Sequence, residues 1–181
     1  VVFYSGHGET LTGIDKSEKG YILPFEGRQD NPYATGLAMD EILTTSRLSK
    51  SKHMLFLMDA CYSGLMAAAP KGGKKIEAND VEYISSKANV SARQIITAGS
   101  AEEEALEGDV WEEHGVFTLN VLNALNNWEA DNIQVDGYIT ATELGEYLKK
   151  KVFDESGGRQ TPQAERIKRS KLGEFIFSRN P

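Results

Sequence analysis

The stretch Leu55-Phe56-Leu57-Met58-Asp59-Ala60-Cys61-Tyr62-Ser63-Gly64 carries an apolar run into an acid, a small residue, a cysteine and then Ser-Gly. A short apolar run stopped by turn chemistry reads as a buried strand of a parallel sheet. In open α/β sheets, ligands and catalytic groups gather beyond the carboxyl ends of such strands. Cys61, the only cysteine of the chain, stands at that place. The competing reading is an inert buried thiol, because free cysteine is among the most buried residue types. The opening of the chain, Val1-Val2-Phe3-Tyr4-Ser5-Gly6-His7-Gly8, has the same grammar: apolar strand, small-residue turn, then one reactive side chain. A Cys and a His on two strand ends, distant in sequence and neighbours in a sheet, are the layout of a cysteine nucleophile with its proton-transfer partner. The glycines beside His7 let backbone amides approach a substrate carbonyl.

Together the two motifs resemble the caspase and metacaspase superfamily of cysteine peptidases, nearest to its bacterial metacaspase-like (orthocaspase) branch. The similarity continues through Gln94-Ile95-Ile96-Thr97-Ala98-Gly99-Ser100, His114-Gly115-Val116-Phe117-Thr118, Asp136-Gly137-Tyr138-Ile139-Thr140 and Gln160-Thr161-Pro162-Gln163. The resemblance implies a caspase-like α/β fold, a mostly parallel central sheet flanked by helices on both faces in a three-layer αβα sandwich. It divides a single peptidase domain, residues 1–181, into a large-subunit-like part (1–69), a linker region (70–92) and a small-subunit-like part (93–181). It also places a strand, a helix and another strand ahead of Val1. A preceding segment of the same protein is therefore expected to pair with this one, since bare strand edges are a liability.

Composition bounds the rest. The 181 residues are 40% hydrophobic and 26% charged, which is ordinary for one globular domain with a proper core. A net charge of −7 argues against a nucleic-acid scaffold and suits attraction of basic peptides. One cysteine permits no internal disulfide, and no apolar run reaches the length of a membrane span. A cytoplasmic protein is expected, with neither nucleic acid nor membrane among its partners.

Residues 9–33 are polar and punctuated by Gly13, Gly20, Pro24, Gly27 and Pro32. Within them Gly20-Tyr21-Ile22-Leu23-Pro24 reads as a short edge strand or hairpin arm. Residues 35–46 read as a helix with Leu37, Ala38, Ile42 and Leu43 on its buried side. The resemblance raises calcium in this region, with Asp15, Asp30, Asp40 and Glu41 as the carboxylates. Their spacing does not reproduce the family's cluster, and an oxygen-ligand site needs several carboxylates converging on one point. A solvated acidic surface is the preferred reading, so no metal ligand is assigned and no cofactor is expected to be required.

Beyond Cys61, Pro70-Lys71-Gly72-Gly73-Lys74-Lys75 is basic and flexible in character. The resemblance makes this the inter-subunit linker, with Lys71, Lys74 and Lys75 as self-cleavage candidates; a plain solvated loop is the alternative. Residues 93–100 return to a strand pattern that ends at Gly99-Ser100, and the strongly acidic residues 101–113 read as a solvated loop with some steering value, the alternative being a rim that attracts basic substrate. His114-Gly115 repeats the His-Gly pair, but apolar residues follow it at helical spacing, so it marks a helix start. Residues 131–143 match a calcium loop weakly, because Asn132 and Gln134 stand where charged ligands belong. The better reading is a turn and then a capping box, Thr140 with Glu143, opening a helix that runs to about Val152 and ends at Gly157-Gly158. Phe175-Ile176-Phe177 is a closing strand.

The chemistry follows from the pair. Cys61 as thiolate attacks the scissile carbonyl, and His7 protonates the leaving amine and later activates water. By resemblance, the amides of Gly8 and Cys61 hold the oxyanion, and Asp59, Ser5, Ala98 and Ser100 bind substrate. Caspases that cut after aspartate carry a neutral glutamine where this chain has Asp59; metacaspases carry an acid. A carboxylate at a pocket floor welcomes Arg or Lys and repels an acidic side chain. The competing role for Asp59 is a cap or structural acid. The reading is thus a cysteine endopeptidase acting on proteins or peptides with Arg or Lys at the cleaved position, governed by a sensor or regulatory domain. Two alternatives stay open: a catalytically silent caspase-like interaction module, and a legumain- or separase-like peptidase of the same clan.

Overall fold

The computed structural model describes residues 1–60, 67–68, 81–99, 114–132, 136–168 and 170–179. In chain order the elements are β1 (Val2–Ser5), β2 (Gly8–Thr12), β3 (Glu18–Ile22), the one-turn α1 (Pro32–Thr35), β4 (Leu37–Ala38) and α2 (Met39–Leu48). They continue with β5 (His53–Asp59), β6 (Ala67–Ala68), α3 (Val81–Ala88), β7 (Ala92–Thr97) and α4 (Val116–Asn126). A 3-10 turn at Glu129–Asn132 precedes β8 (Tyr138–Thr140), α5 (Ala141–Glu155), β9 (Gln163–Ile167) and β10 (Ile176–Ser178).

Among the described residues the main sheet has the order β1-β5-β7-β9-β6. β1, β5 and β7 are parallel, whereas β9 runs antiparallel to both β7 and β6. The unbroken apolar run of β5 is explained by burial on two faces. Leu55 and Leu57 join Ile96 under α4 and α5, against Phe117, Val121, Leu144 and Leu148. Phe56 and Met58 point the other way, with Ile95 and Ile167, onto Met39 and Leu43 of α2. Strand alternation therefore sorts one hydrophobic run into two cores. The result is the expected mostly parallel sheet with helices on both faces.

Local expectations fare differently along the chain. The helix expected over residues 35–46 begins only at Met39. Leu37 and Ala38 form β4 instead, paired with Ile22 and Tyr21 of β3, and Leu37 is exposed rather than buried. The polar stretch 9–33 contains a hairpin, β2 with β3, flanked on the far side of β3 by β4. Its turn is held by the Asp15 carboxylate, which accepts from the Ser17 hydroxyl at 2.6 Å and the Ser17 amide at 3.0 Å. β2 is mostly exposed, so it carries little of the apolar signal by which strands are read. The stretch 70–92 includes the helix α3.

β9 is the strand that its sequence conceals, since Gln163-Ala164-Glu165-Arg166-Ile167 alternates weakly. Helix α5 comes close to it at Gly145, where an added Cβ would lie 2.4 Å from that of Ala164. The capping box is present as expected: Glu143 N–H donates to the Thr140 hydroxyl at 3.1 Å and Thr140 N–H to the Glu143 carboxylate at 2.8 Å. Burial pushes the Glu143 carboxyl above its ordinary range. Gly157 and Gly158 end that element with positive φ. The closing strand β10 pairs with β8 in a separate ribbon, not with the main sheet.

Two polar devices lock the sheet to its surroundings. Arg93 in β7 spends all five N–H groups on carbonyls: Ser46 at 2.8 Å, Ser49 at 3.2 Å, Ser51 at 2.5 Å, and Lys52 and Ala92 at 2.9 Å. A cation over the last carbonyls of α2 also answers the helix dipole. Glu174, buried, accepts from Gln94 at 2.7 Å and Thr142 at 3.1 Å and pairs with Arg166, clasping the segment ahead of β10 to the sheet. We expect Arg93→Ala to cost about 2 kcal/mol in a denaturant melt. Lysine, with three donors on a single nitrogen, should recover less than about half of that loss.

Candidate active site

β1, β5 and β7 end level with one another. The register pairs Val2 with Phe56 and Ser5 with Asp59. The parallel ladder runs one step further, Gly6 N–H donating to the Asp59 carbonyl at 3.1 Å. On the other side Ala98 N–H donates to the Met58 carbonyl at 2.9 Å. His7 follows directly, exposed, at the carboxyl end of β1. Its carbonyl accepts from Leu23 N–H at 3.0 Å and from the Tyr4 hydroxyl at 2.8 Å, which ties the turn to the end of β3.

That Leu23–His7 bond also orients Gly8. In an antiparallel ladder hydrogen-bonded and non-hydrogen-bonded pairs alternate. Leu23 and His7 are bonded, so Gly8 and Ile22 form the non-bonded pair and the Gly8 amide turns away from β3. Ser5, exposed, sits opposite Asp59 at the strand end.

Asp59 is 6% exposed. Its carboxylate accepts a hydrogen bond from the Thr118 hydroxyl in the first turn of α4. The positive end of that helix favours a carboxylate there. Thr118 appears in the sequence only as part of a motif; its position in the first turn of α4, which begins right after Gly115, is the signal that points to it. His114, exposed ahead of α4, does mark a helix start.

Residues 1–172 match the family model described as a caspase domain. The chain belongs to the caspase family. No curated protein matches it. Caspase domains are cysteine peptidases, and the α/β sheet with helices on both faces is the one that family membership requires.

Within this caspase domain the expected site residues fall into three groups. Ser5, His7, Gly8 and Asp59 come together at the carboxyl ends of β1 and β5 and the start of β2. Ala98 sits at the end of β7 with its side chain fully buried, its amide bonded to the Met58 carbonyl and its carbonyl accepting from Gln160 at 2.9 Å. Those bonds hold the end of β7 in place. Gln160, itself fully buried, appears in the sequence only as part of a motif, with no role assigned to it. Cys61, Ser100, Lys71, Lys74 and Lys75 lie outside the described residues.

The four carboxylates raised for calcium are engaged separately. Asp15 holds the hairpin turn, and Asp30 takes a two-pronged pair from Arg28 at 3.0 and 2.7 Å. Asp40 and Glu41 lie in the first turn of α2, where the helix dipole favours them. Among the described residues no three His, Cys, Asp or Glu side chains gather as a ligand set, and no helix is long and apolar enough to cross a membrane. Thr118→Val should leave the buried Asp59 carboxylate short of a donor. We expect about 1–3 kcal/mol of lost stability in urea melts, and Thr118→Ser should restore most of it.

Proposed function

We propose that this caspase domain is an endopeptidase that cleaves after Arg or Lys, with Cys61 as nucleophile and His7 as proton-transfer group. The single observation that carries the reading is the level ending of β1 and β5. Gly6 N–H bonded to the Asp59 carbonyl at 3.1 Å fixes the start of both turns, and His7 and Cys61 each follow within two residues. The Cys61 thiolate adds to the scissile carbonyl to give a tetrahedral oxyanion. Its collapse breaks the C–N bond as His7 protonates the leaving amine, and leaves a thioester. His7 then takes a proton from water, which attacks the thioester and releases the acid and the thiolate.

The amides of Gly8 and Cys61 supply the oxyanion donors; the Gly8 amide, turned away from β3, is available in direction for that role. Asp59 gives the site its negative charge. A carboxylate near the floor of the cleft favours a basic side chain and opposes an acidic one. The nearest branch is the bacterial metacaspase-like one, the location cytoplasmic, and Lys71, Lys74 and Lys75 are the self-processing points. Ser5 and Ser100 flank the substrate chain.

Hydrolysis of Arg-, Lys- and Asp-ending fluorogenic peptides, with and without calcium, tests the assignment. Wild type should favour the basic reporters. Cys61→Ala and His7→Ala should each lower kcat/KM by roughly 1000-fold or more, and Asp59→Asn should cut the Arg reporter by about 100-fold more than an apolar one. Faster cleavage after Asp, or full activity of Cys61→Ala, would end the reading. In the same incubations, cleavage at the linker lysines should appear in wild type and not in Cys61→Ala.

A further inference from the structure

We propose that Tyr4 is the positioning residue of His7, its hydroxyl clamping the His7 turn to the end of β3. The inference rests on the assignment of His7 as the proton-transfer group. The Tyr4 ring is anchored from below: it packs against the cluster of Met39, Leu43, Phe56 and Met58 beneath the sheet. Its backbone is anchored too, at the β1–β5 pair Tyr4 with Met58. The phenolic oxygen therefore has little freedom. It stands 2.8 Å from the His7 carbonyl and 2.7 Å from the Leu23 carbonyl, offering one proton to two acceptors on two different segments.

The turn itself leans on the same ring. Gly6 has φ of 156°, and a Cβ there would lie 2.7 Å from the Tyr4 hydroxyl oxygen and 3.0 Å from the carbon that bears it. The chain thus crosses the phenol at contact distance on its way to His7. Ser5 enters this turn from the sheet, Gly6 is held by Asp59, and His7 is held by Tyr4 and Leu23. Every main-chain hydrogen bond named for the turn leads to the sheet, to Tyr4 or to β3. Burial pushes the Tyr4 hydroxyl above its ordinary pKa, so it remains a donor through the neutral range.

What such a clamp supplies is placement. An imidazole that must meet a leaving nitrogen within hydrogen-bond reach loses rate steeply when its backbone drifts by even an ångström. Phenylalanine at this position keeps the packing and deletes only the donor. Substrate affinity is set elsewhere, at Asp59, so the clamp acts on kcat and leaves KM alone.

The test compares wild type, Tyr4→Phe and His7→Ala on the preferred basic reporter, alongside thermal melts. In parallel, the imidazole signals of histidine-labelled protein are followed in a Cys61→Ala background. There are three histidines, and His7→Ala identifies the relevant signal. We expect Tyr4→Phe to lower kcat by about tenfold with KM unchanged. Its melting temperature should shift by no more than about 5 °C. The His7 signals should broaden or double while those of His53 and His114 stay in place. Unchanged kcat and unchanged His7 signals overturn the clamp alone, provided His7→Ala is inactive. Loss of the fold in Tyr4→Phe, or a rate loss that tracks melting temperature, makes the hydroxyl a merely stabilising group and overturns it as well. An active His7→Ala would instead remove the peptidase assignment on which the inference stands.

Discussion

A parallel hydrogen-bond ladder between β1 and β5 is the constraint on which the arrangement depends. Parallel strands cannot be joined by a short turn, so the chain spends the residues between them on a hairpin and α2 before returning. The return places Asp59 opposite Ser5 and leaves the main chain of both turns bonded across the gap, Gly6 to Asp59. A slip of one residue would exchange every β5 side chain between the two cores and misalign the turns at once. The same hydrophobic sorting that stabilises the sheet thus determines where the strand ends emerge.

Around those ends the protein places polar pins rather than more apolar packing. Thr118 bonds the Asp59 carboxylate, and Gln160 bonds the Ala98 carbonyl at 2.9 Å. Arg93 closes the far end of α2, and Glu174 with Gln94 and Arg166 closes the far end of the sheet. Each buried polar group named here has a partner, as it must, because an unmatched one in a low-dielectric core is costly. Such pins are directional in a way that methyl groups are not. They hold strand ends through bonds of defined direction, the kind of placement on which closely oriented groups depend.

The small sheet β2-β3-β4 has a different task. It is largely exposed on β2 and adds little to either core. Its value lies in main-chain geometry: the register with Ile22 aims the Gly8 amide outward, and Leu23 fixes the carbonyl of His7. Loops on rigid scaffolds commonly carry function, and here a hairpin stiffens the loop that bears the histidine.

From sequence alone, the apolar run of β5, the His-Gly turn after β1 and the Thr140–Glu143 capping box were legible, because each is written in contiguous residues whose local physics suffices. The same holds for the helix start after His114. Residues 35–46 misled because Leu37 and Ala38 satisfy their backbone through Tyr21 and Ile22, partners no local window contains. β9 was hidden because its polar alternation gains meaning only beside β7 and under Gly145. The burial of Ala98, the bond from Thr118 to Asp59 and the contact of Tyr4 with His7 and Leu23 were likewise settled by tertiary structure. A sequence specifies which groups can donate, accept or pack; only the folded chain decides which of them meet, because those encounters join segments whose separation in sequence says nothing of their distance in space.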